Sequence, residues 1–140
     1  MWQFPGYSIV EQIDATYRSV VFRARRQAPP GDTVIIKALR TEHQSPSDIA
    51  RLKHEYALIR GIDIEGIVKP LDVIEQENGL ALVLEDFGAT SLKKIMHGCM
   101  HLECFLKLAL RLSDILGRLH FSGVTHRDIK PSNILLNQEQ

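Results

Sequence analysis

The apolar residues of this chain change period partway along, and that change limits the fold more than any other feature. In the first half they fall in short β-rich runs. Tyr7, Ile9 and Ile13 stand among polar neighbours, Val20, Val21 and Phe22 form a second run, and Thr33-Val34-Ile35-Ile36-Lys37-Ala38-Leu39 is a third, entered from the turn signal Pro29-Pro30-Gly31-Asp32. In the second half Phe105, Leu108, Ala109, Leu112, Ile115, Leu116 and Leu119 recur at helical spacing, with Gly123 as a stop. A strand buries alternate side chains and a helix buries a stripe, so one pattern cannot serve as the other.

Between the two halves lies a well-marked helix. Ser45 can cap it, Pro46 suits its first position, Asp48 sits three residues after the cap, and Gly61 can end it. Leu52, Tyr56 and Ile59 give it an apolar face. Two strand-like runs follow, Leu71 to Glu75 and Leu80 to Leu84, and Asn78-Gly79 between them is a strong hairpin signal. The order is three strands, a helix, two strands and a long helix. That predicts an α+β fold: a mainly antiparallel sheet with one packed helix, then helical structure.

Composition narrows the function classes. Apolar residues are 44% of the 140, enough for one cored domain, and 17 basic residues cancel 17 acidic ones. A net charge of +0 argues against a general grip on nucleic acid or anionic membrane. No run of about 18 apolar residues suggests a membrane span, and Met1 to Gly6 lacks a secretory pattern. Cys99 and Cys104 form no disulfide framework. The expectation is a cytoplasmic protein with neither nucleic acid nor membrane as partner. His97 and His101 join the two cysteines in a cluster, but the spacing is not a zinc-finger pattern, and they read as linker and helix residues.

The segment after the long helix is the most informative: Val124-Thr125-His126-Arg127-Asp128-Ile129-Lys130-Pro131-Ser132-Asn133-Ile134-Leu135-Leu136. It resembles the catalytic loop of the eukaryotic-type protein kinase family, through His126, Arg127, Asp128, Lys130, Pro131 and Asn133. Lysine two residues after the aspartate resembles the serine/threonine branch. The resemblance implies ATP and Mg2+ as cofactors and a protein serine or threonine hydroxyl as acceptor. It makes Asp128 the catalytic group that orients the attacking hydroxyl, Lys130 a catalytic contact to the transferring phosphate, and Asn133 a neutral magnesium ligand. His126 is expected to be a packed structural residue rather than a base.

Other parts of the pattern occur in order. Val34-Ile35-Ile36-Lys37 resembles the family's strand in which lysine meets the α- and β-phosphates, with Ile35 where alanine is usual. Glu55, between Leu52 and Ile59, is the candidate partner of Lys37, since a carboxylate among apolar neighbours needs a pair. Ile13, Val21 and Leu135 match the residues around the adenine. Leu84 matches the position before the hinge, and Glu85 to Phe87 match the hinge, so the backbone of Glu85 and Phe87 would meet the base. Asp86-Phe87-Gly88 spells the family's magnesium motif, but its place before the long helix excludes that role. The glycine-rich loop is the clearest departure, with Asp14, Thr16 and Ser19 in place of its glycines. Asp and Ser still tolerate turns, so a hairpin is expected, with a weaker phosphate cradle.

On this pattern residues 7–85 form the kinase N-lobe and 86–140 the hinge, long helix and catalytic loop of an incomplete C-lobe. The second magnesium motif would follow Asn133 beyond the last residue. The chain therefore reads as part of a kinase domain from a longer multidomain signalling protein of bacterial style. Phosphoryl transfer by this stretch alone is expected to be weak or absent, and the long helix is expected to expose apolar surface. The alternatives are a pseudokinase or nucleotide-binding interaction module without catalysis, and a remnant that does not fold.

Overall fold

A computed structural model of the chain describes residues 2–40, 45–76 and 79–137. Its order is β1 (Tyr7–Ala15), β2 (Ser19–Arg26), β3 (Thr33–Leu39), α1 (Pro46–Arg60), β4 (Pro70–Gln76), β5 (Gly79–Glu85), β6 (Thr90–Ser91), α2 (Leu92–Ile95), α3 (Leu102–Phe121) and β7 (Leu135–Leu136). This is the expected α+β fold of a kinase-like N-lobe, with a five-stranded antiparallel sheet and one helix followed by helical structure. The contacts divide the chain into two compact units. One holds the residues up to Gly61 together with Val68–Asp86; the other holds Ile62–Ile67 and the residues from Phe87 on.

The first unit is built on the sheet, in the order β1-β2-β3-β5-β4, with every adjacent pair antiparallel. Alternation along β2 and β3 sends Val20, Phe22, Ala24, Val34, Ile36 and Ala38 to one face. There they join Ala81, Val83 and Phe4 in a buried cluster, with Trp2 and Tyr7 packed against it. The opposite face packs Leu39, Leu80 and Leu82 against Leu52 of α1. Full burial of the Val, Leu, Ile and Phe side chains among them stabilises by roughly 1.5–3 kcal/mol each, so the sheet's two faces carry the fold of this unit.

α1 begins as its sequence dictates. The Ser45 hydroxyl accepts from the Asp48 N–H at 3.2 Å and donates to the Asp48 carboxylate at 2.5 Å, with Pro46 in the first turn. The Asp48 carboxyl is held below the usual aspartate range, first by the Ser45 hydrogen bond, against an opposing contribution from burial. Gly61 ends the helix with φ −86, an ordinary right-handed value rather than a left-handed cap. The expected turn at Asn78 lies outside the described residues, but Gln76 pairs with Gly79, so β4 and β5 form an antiparallel hairpin.

One expectation needs correction. Ile9 was expected to alternate inward with Tyr7 and Ile13, yet it is 39% exposed. It pairs with the buried Ala24, but β1 is an edge strand with no neighbour on its outer side, and the register shifts at Ile9/Glu11 and Gln12/Asp14 come only after it. Along α3, where exposed apolar surface was expected, Phe105 is 54% exposed and cover comes at Leu108, Ala109, Leu112, Ile115, Leu116 and Leu119.

The second unit is organised on α3. Gly66, at φ 95, lies so close to the helix that a Cβ there would fall 2.4 Å from Ile115 Cδ1. Arg118 donates to the Glu65 carbonyl at 3.1 Å beside it. α3 stops at Gly123, whose φ is 80, with the Val124 N–H donating back to the Leu119 carbonyl. β6 pairs with β7, and the Leu92 N–H donates to the Ile134 carbonyl at 2.7 Å, fixing the chain after Asn133 to α2.

Candidate functional site

The candidate residues fall into two groups, one in each unit. In the first unit, the β2–β3 register sets Val21 opposite Lys37, and Ile35 lies two residues before Lys37 on the same strand face. Lys37 Nζ meets Glu55 Oε1 at 2.9 Å, so the lysine and helix α1 occupy the same side of the sheet. The two side chains are 33% and 38% exposed, so the pair faces an opening rather than a sealed core. Ile13, Val21 and Ile35 are half-buried. The lysine's ammonium stays within reach of an incoming anion.

The glycine-less hairpin between β1 and β2 closes by another route. The Thr16 N–H donates to the Ser19 carbonyl at 2.8 Å, and the Ser19 N–H donates to the Thr16 hydroxyl at 3.1 Å. The two hydroxyls are 3.1 Å apart. Arg40, just past β3, ties the tip down from the neighbouring strand. Its N–H donates to the Arg18 carbonyl at 2.8 Å and its Nε to the Thr16 carbonyl at 2.9 Å. No residue of this turn takes a positive φ, so hydroxyl bonding replaces the conformational freedom of glycine. The cost falls on anion binding, because the Thr16 and Ser19 N–H groups are already used within the turn.

The exit of β5 carries the hinge candidates. The Glu85 N–H donates to the Lys69 carbonyl at 3.0 Å, and the Lys69 N–H donates to Glu85 Oε1 at 2.7 Å. Asp86 accepts from Arg23 Nε at 2.8 Å with its side chain 5% exposed. Phe87, in the second unit, is 38% exposed.

In the second unit the catalytic-loop candidates meet one another. Asp128 Oδ2 accepts from Lys130 Nζ at 2.8 Å and from Asn133 Nδ2 at 2.9 Å. Asn133 Nδ2 also donates to the Asp128 carbonyl at 2.8 Å. Both amide hydrogens are thus directed at Asp128, which leaves the amide oxygen as the acceptor able to meet a hard cation. A neutral oxygen beside a carboxylate fits magnesium, which keeps several waters and takes few protein ligands. The Asp128 carboxyl is held below the usual aspartate range, chiefly by the Lys130 hydrogen bond and, against burial, by Asn133. It is therefore anionic at neutral pH. Leu135, two residues on in β7, is 37% exposed.

Sequence reasoning missed three features here. Arg127 has φ 63, the one positive value among described non-glycine residues, and this turn aims Asp128 back at Lys130 and Asn133. His126 is exposed rather than packed; its Nδ1 accepts from the Asp128 N–H at 3.2 Å, so it braces the loop from solvent. Arg23 had no assigned part, although its position two residues beyond Val21 on the same face was a signal. Among the described residues no group of three or more His, Cys, Asp and Glu side chains is gathered at metal-binding distance.

The protein kinase domain family matches residues 7–140. Serine/threonine-protein kinase PkaA of Streptomyces coelicolor is 30% identical over 94% of this chain and 27% of its own length. Serine/threonine-protein kinase TIO of Arabidopsis thaliana is 30% identical over 93% of this chain and 10% of its own. A probable serine/threonine-protein kinase of Clostridium perfringens, CPE1738, is 29% identical, with coverages of 95% and 20%. The chain thus spans well under two thirds of these relatives. Among solved structures, Rad53 residues 1–466 with AMP-PNP superposes with a TM-score of 0.79 at 21% identity, over 96% of this chain and 35% of that one. The kinase domain of Mycobacterium tuberculosis PknI gives 0.77 at 17%, over 99% and 57%. At these identities the two structures support the fold alone.

Proposed function

Because this chain belongs to the protein kinase domain family, we propose that it serves ATP-dependent transfer of a phosphoryl group to a serine or threonine hydroxyl of a protein, within a longer polypeptide. The observation that carries the reading is the Asp128–Lys130–Asn133 constellation, supported by the Lys37–Glu55 pair. The relatives' names favour the serine/threonine branch.

In this reading Lys37, held upright by Glu55, neutralises the α- and β-phosphates, and Ile13, Val21 and Ile35 line the adenine on the first unit. The backbone of Glu85 and Phe87 recognises the base edge. Asp128 stays anionic because Lys130 and Asn133 donate to it, and so it can accept and orient the acceptor hydroxyl's proton. Lys130 can then turn from Asp128 to the transferring phosphoryl, whose charge is spread over its oxygens in the transition state. Asn133 would hold magnesium through its amide oxygen; when bound, the metal supplies neutralisation of the phosphate charge.

Phosphotransfer by the polypeptide that carries this segment tests the reading. Asp128→Asn should lower kcat by at least about a hundredfold, the scale of positioned acid–base groups, with little change in the KM for ATP. An unchanged kcat would remove Asp128 from the mechanism. A second reading, nucleotide binding without transfer, draws support from the hairpin whose Thr16 and Ser19 N–H groups are spent internally. Saturable binding of Mg·ATP with no turnover in the parent polypeptide would select it.

A further inference from the structure

The function above leaves the Asp86 side chain without a part, yet it is among the least exposed carboxylates of the first unit. Its side chain is 5% exposed, and a carboxylate so enclosed needs a charged or hydrogen-bonding partner. Arg23 supplies one through Nε at 2.8 Å. The same guanidinium reaches Glu11 on β1 through Nη1, and Arg23 is itself 27% exposed. One planar fork therefore ties two carboxylates that lie far apart in the sequence, a geometry lysine cannot copy. On the opposite flank, the Lys69 backbone clamps Glu85 by two hydrogen bonds of 3.0 and 2.7 Å. The exit of β5 is strapped from both sides.

Register places this strap along the nucleotide face. Val21 faces Lys37, Arg23 faces Ile35, and Ile35 faces Leu84 of β5, one residue before Glu85. Arg23 thus stands two residues, roughly 7 Å, from Val21 along β2, away from the hairpin tip and toward the hinge candidates. The phosphate end and the base end of the site are separated along one strand.

We propose that Arg23 is a positioning residue for base recognition: by holding Asp86 and Glu11 together it fixes the exit of β5 and sets the preference for adenine over guanine. The proposal rests on the nucleotide reading given above. Lys37 and the phosphates take no part in it, so its signature is a change in base selectivity and not a uniform loss of binding.

Calorimetric titration of Mg·ADP and Mg·GDP into the wild type, Arg23→Met, Arg23→Lys and Asp86→Asn tests it. The wild type should prefer ADP. Arg23→Met and Asp86→Asn should weaken ADP about tenfold, as for a lost charge-assisted hydrogen bond, and GDP by less than about twofold. Arg23→Lys should restore part of the preference. Equal weakening of both nucleotides, no weakening, or a wild type indifferent to the base each overturns the proposal. Binding of neither nucleotide by the wild type defeats the nucleotide reading itself, a result distinct from the others. Should Arg23→Met not fold, Asp86→Asn, which keeps the side-chain shape, decides the matter.

Discussion

The chemistry of the site turns on two side-chain pairings of different kinds. Asp128 is held anionic by Lys130 and Asn133, so its carboxyl titrates below the usual aspartate range. A carboxyl depressed in the folded state adds stability that is present above its unfolded value and lost as pH falls through the folded one. Carbon-detected NMR of the Asp128 carboxyl should therefore give a midpoint below that of an unstructured aspartate, and Lys130→Ala should raise it; an unmoved midpoint would mean that Lys130 does not set it. The Lys37–Glu55 pair behaves differently. With both members about a third exposed, solvent screens it, and its contribution to stability is about 0–1 kcal/mol. Glu55→Gln should thus lower stability by less than about 1 kcal/mol while loosening the lysine. A larger thermal loss would show that the pair holds the fold rather than the lysine's position.

Elements were legible in the sequence where their signals are local. The Ser45-Pro46-Ser47-Asp48 start of α1, the apolar alternation of β3 and the repeat along α3 each lie within a few residues, and each gives the element found. Asp128 and Asn133 were named only through the resemblance of their loop, and the hydrogen bond between them is what the structure adds. What the sequence concealed is pairing at a distance or very short. Nothing near Asp86 announces Arg23, 63 residues earlier. The two-residue strands β6 and β7 are too short to show a period, and the register shifts of β1 beyond Ile9 leave no mark in the apolar pattern. Gly66 was likewise silent until Ile115 was seen against it. At φ 95, Gly66→Ala should cost roughly 1–2 kcal/mol, since an L side chain resists that conformation and the Ile115 side chain must also shift. A melting temperature equal to the wild type's would show that the loop at residues 62–67 is not held on α3 as described.

Over the whole molecule, the two units differ in how well they are cored. The first buries thirteen apolar side chains on the two faces of one sheet, whereas the second buries Leu92 and Leu119 among its described residues. α3 leaves Leu102, Phe105, Leu106, Leu110 and Phe121 exposed, from 49% to 97%. Resistance to local opening follows buried contact, so amide exchange should be slowest in β2, β3 and β5 and faster throughout α3. Comparable protection in α3 would contradict that assignment of the core. None of the described helices is long and apolar enough to cross a membrane. The central claim is that the face carrying Lys37 grips nucleotide phosphate, and calorimetric titration of Mg·ATP into the wild type and Lys37→Met tests it most directly. The account predicts saturable binding by the wild type and affinity lower by about tenfold or more in the variant, with melting nearly unchanged. Equal affinity in the two proteins would contradict it.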